Sequence, residues 1–144
     1  MAITQISAFL ENRPGTLFKA ISAVTDAGVN MRALSVAETK DFGILRVIVS
    51  DVEKTKAALG ADTMIRETPV IAVKMDDKTG ALKGILEILR NANVNIEYVY
   101  AFTGAIQGSA YVVFRVDDVE SAEKILAKNG IMTLNDADLE GFLA

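Results

Sequence analysis

Apolar residues recur at intervals of three and four in two stretches of the chain, a spacing that places them on one face of a helix. The two stripes are Leu17, Ala20, Ile21 and Val24, and then Leu82, Ile85, Leu86 and Leu89. Each stripe predicts a helix whose apolar face packs against a core. Because equivalent positions lie 65 residues apart, the pattern also indicates that the chain contains one small structure twice.

Shorter stretches of alternating apolar and polar residues predict strands around these helices, beginning with a core face of Ile6, Ala8 and Leu10. In copy one we predict strands over 3–10, 30–39, 44–50 and 64–67, a helix from Gly15 or Thr16 to Gly28, and a second helix capped by Asp51. In copy two we predict a first strand with Ile71, Val73 and Met75, a hairpin over 95–102 and 109–116, a helix from Asp118, a strand over 131–134 and a short helix over 136–142.

Each copy therefore has the order strand, helix, strand, strand, helix, strand. That order predicts an α+β fold in which one antiparallel sheet carries both helices on one face. We place the two domains at residues 1–68 and 69–144. The segment VSDVE at 49–53 matches VDDVE at 116–120, two residues beyond the offset of 65, and we assign the extra residues to the Gly104–Gly108 turn.

The sheet face that points away from the helices is also apolar. Ile44 and Ile48 in copy one, and Tyr111 and Val113 in copy two, are predicted to lie on it. An apolar face of this kind seldom stays in contact with water. We expect it to pack against another sheet, which we assign to a second chain; the alternative is an apolar face exposed to solvent.

Composition excludes several classes of function. The chain has no cysteine and no histidine, which removes disulfides, thiolate or imidazole metal sites, and catalysis by Ser-His-Asp or Cys-His groups. A net charge of −4 and a sequence pI of about 4.8 disfavour nucleic acid, and no cluster of lysine and arginine indicates a membrane surface. We expect no metal and no cofactor; a Mg²⁺ or Ca²⁺ site made of carboxylates alone stays open, although the sequence has no EF-hand spacing. The N-terminus lacks the pattern of a signal peptide, so we expect a cytoplasmic protein.

The segment ENRPGTL, ahead of the first helix of copy one, carries the clearest candidate chemistry. The first backbone N–H groups of a helix have no partner inside it, and the helix dipole makes that end partly positive. Pro14 has no N–H and Gly15 has no Cβ, which favours the N–H groups of Gly15, Thr16 and Leu17 as a cradle for a carboxylate. Asn30, ahead of the next strand, offers a side-chain oxygen to an ammonium.

Each of these features also has a purely structural interpretation. Pro-Gly is common in turns that have no binding role. Asn30 can simply shape the loop that leads into the next strand, and Arg13 can be a charged loop residue in contact with solvent. Only their combination, repeated on one fold, favours a ligand site.

The segment ENRPGTL followed by GVNM, echoed by DKTGAL followed by NVNI and joined to a D-V-E start of the second helix, resembles the ACT domain. The resemblance covers nearly the whole chain as two tandem ACT domains, and EYVYAF in copy two is similar to stand-alone double-ACT proteins. It implies a ferredoxin-like fold, side-by-side pairing of two domains into one continuous sheet, and a small-molecule site, usually for an amino acid, where the domains meet. The residues it implies are Asn12, Arg13, Pro14, Gly15, Thr16, Leu17 and Asn30 in copy one, and Asp76, Asp77, Lys78, Thr79, Gly80, Ala81, Leu82 and Asn95 in copy two.

Copy two departs from this pattern in its loop. Thr79 replaces the proline, and Asp77 stands where its side chain can occupy the N–H groups that a ligand needs. We therefore expect the copy-one loop to be the better site. Tyr98, Tyr100 and Phe102 alternate on one strand face of copy two, where they either wall a ligand pocket or pack across the hairpin.

These features together favour a non-catalytic regulatory protein that binds an amino acid at the interface of paired ACT domains. We expect a homodimer, with an enzyme as the candidate regulated partner and with no nucleic-acid or membrane partner. Two alternatives stay open. One is an oligomerisation module without a ligand, and the other is a small acylphosphatase-like enzyme, whose phosphate-cradling loop is nevertheless absent from ITQISAFLENRPG.

Overall fold

The computed structural model describes residues 2–104 and 108–141 of the chain. Its elements, in chain order, are β1 (Ile3–Glu11), α1 (Thr16–Asp26), β2 (Met31–Glu38), β3 (Phe42–Val49), α2 (Val52–Leu59), β4 (Met64–Asp76), α3 (Ala81–Asn91), β5 (Ile96–Ala101), β6 (Ser109–Val116), α4 (Val119–Lys128), β7 (Thr133–Leu134) and α5 (Asp136–Gly141). This order confirms the predicted α+β fold with a repeated unit. The turn to which we assigned two extra residues lies partly outside the described residues, as does Phe142.

Residue contacts divide the chain into two compact units, one formed by residues 4–68 and the other by residues 2–3 and 69–141. In the first unit β3 lies between β1 and β2 and pairs antiparallel with both, with Leu45 opposite Ala8 and Val36. In the second unit β6 lies between β4 and β5, also antiparallel, and β7 pairs with β4. The predicted strand over 64–67 and the predicted first strand of copy two are one element, β4.

Each unit has its own apolar core between the helices and the helix-facing side of its strands. Ile6, Ala8 and Leu10 are buried in the first core, as their alternation predicts. Phe114 of β6 is the largest of the fully buried side chains and lies in the second core. The regular patterns of the sequence therefore identify most of both cores.

The first leucine of each predicted helical stripe is an exception. Leu17 keeps 42% of its surface exposed and Leu82 keeps 36%, whereas Ala20 and Val24 further along α1 are buried. Both leucines lie in the first turn of their helix. Helical spacing identifies which face of a helix turns inward, but it does not say how far along the helix the sheet beneath extends.

The two helices of each unit begin in different ways. α2 and α4 follow aspartates, as predicted: the Asp51 carboxylate accepts a hydrogen bond from the N–H of Lys54 at 2.9 Å, and Asp118 accepts one from the N–H of Ser121 at 3.1 Å. The hydrogen bonds that Ser121 donates hold the pKa of Asp118 below its usual value. α1 and α3 follow glycines instead, and neither has a side-chain cap.

The sheet face that points away from the helices is more buried than the sequence suggests. Ile48 and Val113 are fully buried within a single chain, and Tyr111 is 4% exposed. The prediction that a second chain covers this face was wrong for these three residues, because one chain already removes them from water. The homodimer stays a prediction.

Gly84 occupies an exposed position inside α3, and no atom lies within 4 Å of the place where a Cβ would be. Glycine inside a helix loses more backbone freedom on folding than alanine does. We therefore expect Gly84→Ala to raise the free energy of unfolding by about 0.5–1 kcal/mol, measured by urea denaturation. Lys83→Ala is the control and should change it by less than about 0.5 kcal/mol. A loss of stability in Gly84→Ala would contradict the open environment of this glycine.

Candidate functional site

The loop between β1 and α1 leaves two N–H groups in the first turn of α1, those of Leu17 and Phe18, without acceptors among the described residues. Gly15 precedes the helix with a φ of 87°, a left-handed conformation that favours glycine. The N–H of Thr16 makes only a long bond of 3.4 Å to the carbonyl of Arg13. No described residue accepts from the N–H groups of Leu17 and Phe18, and the first turn has no acidic side chain. This end of the helix is therefore open to an anion.

The second unit repeats this backbone geometry. Gly80 has a φ of 90°, and the N–H of Ala81 bonds to the carbonyl of Lys78 at 3.3 Å. Thr79 thus supports the same turn as the proline of the first unit. Asp77 does not cap α3, since that helix has no side-chain cap. The expectation that Asp77 occupies the helix N–H groups was wrong.

Asn12 and Arg13 have partners within the first unit. The side-chain NH₂ of Asn12 donates to the Glu38 carboxylate at 3.3 Å and to the carbonyl of Thr39 at 3.4 Å, which ties the loop to the end of β2. The Arg13 guanidinium lies 2.8 Å from the Glu11 carboxylate, but both side chains are mostly exposed. An exposed ion pair contributes about 0–1 kcal/mol, so Arg13 can exchange Glu11 for a ligand carboxylate with little loss.

A cleft of about 670 Å³ adjoins the uncapped end of α1, a volume in the range of small-molecule sites. Its walls combine apolar side chains with two cations and two carboxylates. The lining residues are Phe9, Leu10, Glu11, Arg13, Pro14, Gly15, Thr16, Lys19, Ala20, Ala23, Ala58, Leu59, Asp62 and Thr63. The structure therefore brings four of the predicted loop residues, from 13 to 16, to one concave surface.

A second cavity of about 370 Å³ shares Leu10, Glu11 and Arg13 with this cleft and extends toward β2. Asn12 and Leu17 line it, together with Val36. Every predicted residue from 12 to 17 therefore lines one of the two cavities. In the second unit, the cavities of about 380 Å³ and 250 Å³ include Asn95 but none of residues 76–82.

The structure does not bring Asn30 to the loop. The loop follows Glu11, which pairs with Phe42 at one end of β3, whereas Asn30 precedes Met31, which pairs with Val49 at the other end. At about 3.3 Å per residue, these two ends of the sheet are roughly 20 Å apart. One small molecule cannot contact both Asn30 and the loop of the same unit.

Asn30 and Asn95 instead lie where a helix leads into the next strand. The N–H of Asn30 donates to the Ser50 hydroxyl at 3.0 Å, and the N–H of Asn95 donates to the Asp117 carboxylate at 3.0 Å. The second unit has the same topology, so Asn95 is equally distant from residues 76–82. These bonds support the structural interpretation of the two asparagines.

A family model described as an ACT domain pair matches residues 1–143, which include both units and both loops. The chain belongs to the ACT domain pair family. The resemblance carried by ENRPGTL and DKTGAL is confirmed over nearly the whole chain.

Solved structures show the same ACT fold. Protein BT0572 from Bacteroides thetaiotaomicron is similar over 96% of both chains, with 34% sequence identity and a TM-score of 0.89. The regulatory subunit of aspartate kinase from Thermus thermophilus, in a ligand-free form, has 13% identity and a TM-score of 0.66 over 87% of this chain and 91% of that chain. At that identity it shows the fold alone. No curated protein matches the chain.

The aromatic residues of the second ACT unit pack on one another. The rings of Tyr98 and Tyr100 stack with centroids 6.3 Å apart, and Phe102 lies 5.8 Å from Tyr111 on the neighbouring strand β6. Neither of the two cavities described for this unit is lined by Tyr98, Tyr100 or Phe102. Phe102 therefore packs across the hairpin, whereas Tyr98 and Tyr100 pack on each other along β5.

Sequence patterns do not identify several residues that line the ACT cleft, among them Lys19, Ala23 and Asp62. The helical stripe skips Lys19 and Ala23, and Asp62 lies in an unpatterned turn. A comparison of the two copies does indicate two of them. In the alignment of the copies, Lys19 and Ala23 correspond to Gly84 and Ile88, so these positions differ between the two units.

No helix within 2–104 and 108–141 is both long and apolar enough to span a bilayer. The same residues contain no group of three or more acidic side chains placed to hold a metal ion.

Proposed function

We propose that the chain is a non-catalytic regulatory protein that binds an amino acid at the β1–α1 loop of its first unit and in the adjoining cleft. The observation that carries this proposal is the uncapped start of α1 beside a cleft with charged and apolar walls. The loop of the second unit has the same backbone but no matching cleft among the cavities described there, which favours the first loop.

The helix end alone cannot supply the affinity. A negative charge at a helix N-terminus gains about 0.3–1 kcal/mol when exposed and about 2 kcal/mol when partly buried. A dissociation constant of 1 mM already requires about 4 kcal/mol. Burial of an aliphatic side chain adds about 1.5–3 kcal/mol. The rest of the binding energy therefore comes from the charged and apolar side chains of the cleft.

The charges of the cleft suit a zwitterion. Arg13 and Lys19 offer cations to a carboxylate, and Glu11 and Asp62 offer carboxylates to an ammonium. An α-amino acid presents both charges within one small group, so it can satisfy both kinds of side chain without a change in net charge. A simple anion would leave Asp62 facing a like charge.

Regulation follows if a partner senses the bound state. A ligand changes the proportions of two conformations only if it binds one of them more tightly than the other. Binding at this loop would therefore stabilise the conformation of the loop that binds more tightly. The regulatory subunit of aspartate kinase has a similar fold, which supports an enzyme as the regulated partner. We extend the proposal to a homodimer as the form that contacts this enzyme.

A thermal-shift assay of the full chain with each of the twenty amino acids tests the proposal. A compound that binds only the folded protein raises its melting temperature, and a concentration of 100 times the dissociation constant stabilises it by about 2.7 kcal/mol. We expect one or a few amino acids to raise it. Lys19→Ala should reduce that rise, whereas Lys54→Ala, an exposed position on α2 outside the cleft, should leave it unchanged.

Three other outcomes distinguish the alternatives. No rise for any of the twenty amino acids would contradict the proposal and favour the oligomerisation module. Hydrolysis of an acyl phosphate would favour the enzyme. Asn30→Ala should leave the rise unchanged because of its distance from the loop, and a loss would mean that Asn30 of another copy of the chain completes the site.

A further inference from the structure

The two ACT units differ at the positions where their helices face each other. In the first unit, Ala23 of α1 and Ala58 of α2 line the 670 Å³ cleft. The corresponding residues of the second unit are Ile88 of α3 and Ile125 of α4, which pack against that unit's core and line a smaller cavity of about 380 Å³. The correspondence follows from the matching helix starts of the two units, the loop glycines for α1 and α3 and the capping aspartates for α2 and α4.

Two further differences between the units lie close to these positions. Lys19, which lines the cleft, corresponds to Gly84, and the cavity of the second unit has Lys128 as its cation instead. In addition, α2 has 8 residues and α4 has 10. The chain leaves α2 early and turns through Asp62, whereas α4 continues as a helix to Lys128. The cleft of the first unit is therefore larger, about 670 Å³ against about 380 Å³, and it has both cations and carboxylates, whereas the cavity of the second unit has no carboxylate.

The arrangement of the second unit is the ordinary one for packed helices. Protein interiors are close-packed, and a sec-butyl side chain at each facing position occupies more of the space between two helices than a methyl group does. A methyl group in its place leaves the neighbouring atoms without contacts, which is unfavourable unless something else occupies the gap. The alanines of the first unit are thus understandable if a ligand takes the place of the isoleucines.

We propose that the α1–α2 cleft of the first unit is the one site of this kind in the chain and that it takes an α-amino acid with an uncharged aliphatic side chain. This inference rests on the proposed function of the adjoining loop. The exposed Lys19 and Asp62 form the rim and bind the charged groups, and the more buried Ala20, Ala23 and Ala58 form the floor on which the aliphatic side chain lies. The second unit binds no amino acid at its counterpart, because Ile88 and Ile125 narrow that cavity to about 380 Å³ and no carboxylate lines it to receive an ammonium.

Isothermal titration of the full chain with L-leucine tests this inference. We expect one molecule to bind per chain. The double variant Ala23→Ile/Ala58→Ile copies the second unit into the first and should weaken binding at least about tenfold, the usual effect of filling an apolar pocket. Ala57→Ile makes the same chemical change at an exposed position on α2 that does not line the cleft, and it should bind L-leucine as the unaltered chain does.

Methyl NMR of the unaltered chain provides a second measurement that needs no variant to fold. Addition of L-leucine should shift the methyl signals of Ala23 and Ala58, while those of Ile88 and Ile125 stay in place. If none of the twenty amino acids binds, the proposed function fails as well. If binding occurs at two molecules per chain, is limited to charged amino acids, or persists unchanged in the double variant, only this inference is overturned.

Discussion

Phe114→Ala is expected to lower the free energy of unfolding by about 3–5 kcal/mol. Phe114 is fully buried, pairs directly across the sheet with Ile71, and belongs to the core of the second unit. Its removal leaves a cavity whose walls are sheet and helix residues that cannot simply collapse. Because small domains are stable by only about 5–15 kcal/mol in total, urea denaturation should show a large fall in the midpoint.

Phe18→Ala is the matched control for this prediction. It removes the same side chain from α1, where Phe18 is 78% exposed. A surface substitution of this kind changes stability by less than about 0.5 kcal/mol. Equal losses in the two variants would contradict the different environments that the structure assigns to these phenylalanines.

Local patterns were sufficient for the fold because its buried faces are regular. Ile6, Ala8 and Leu10 alternate on β1, and the alternation alone is enough to identify the side that meets the helices. Asp51 and Asp118 cap α2 and α4 by accepting a hydrogen bond from the N–H three residues further along the chain. Such a cap involves only residues close in sequence, so the sequence is enough to predict it.

Burial on the far side of the sheet could not be predicted in the same way. The alternation of β3 and β6 indicates that Ile48 and Val113 point away from the helices, but what covers them depends on residues distant in sequence. A second chain was one solution that the pattern allows. The structure shows that one chain is enough for these two residues.

The candidate site was predicted in part. Residues 12–17 do line cavities, because a glycine in a left-handed conformation and an uncapped helix start follow from the loop sequence itself. Asn30 does not join them, since β1 and β2 both run antiparallel to β3 and therefore start at the same end of the sheet. The end of β1 is thus far from the start of β2. This distance follows from the strand topology, and the position of Asn30 in the sequence, close to the loop motif, does not reveal it.

The cleft itself was missed for a different reason. Its floor consists of alanines, and a small side chain in a helix gives no periodic pattern that distinguishes a cavity from ordinary packing. Only the comparison of Ala23 and Ala58 with Ile88 and Ile125 indicates that more space is left between the helices of the first copy. In a chain with an internal repeat, one copy can therefore be compared with the other to find positions where a site has developed.

Gly15→Val and Gly80→Val form a matched pair that separates stability from binding. The two glycines have φ values of 87° and 90°, and neither has an atom within 4 Å of an added Cβ. Each substitution should therefore lower the free energy of unfolding by about 1–2 kcal/mol through backbone strain alone. Only Gly15→Val should also abolish the rise in melting temperature with amino acids, because it shifts the free N–H groups of Leu17 and Phe18 and extends a side chain into the cleft.

The measurement is a urea denaturation and a thermal-shift series on both variants, with Gly104→Val as a third. Gly104 has an ordinary φ and an open environment, so valine there should change stability by less than about 0.5 kcal/mol. If Gly15→Val and Gly80→Val both abolish the rise, the loop of the second unit also binds. If both keep it, the uncapped start of α1 takes no part in binding, and the assignment of the site to residues 12–17 fails.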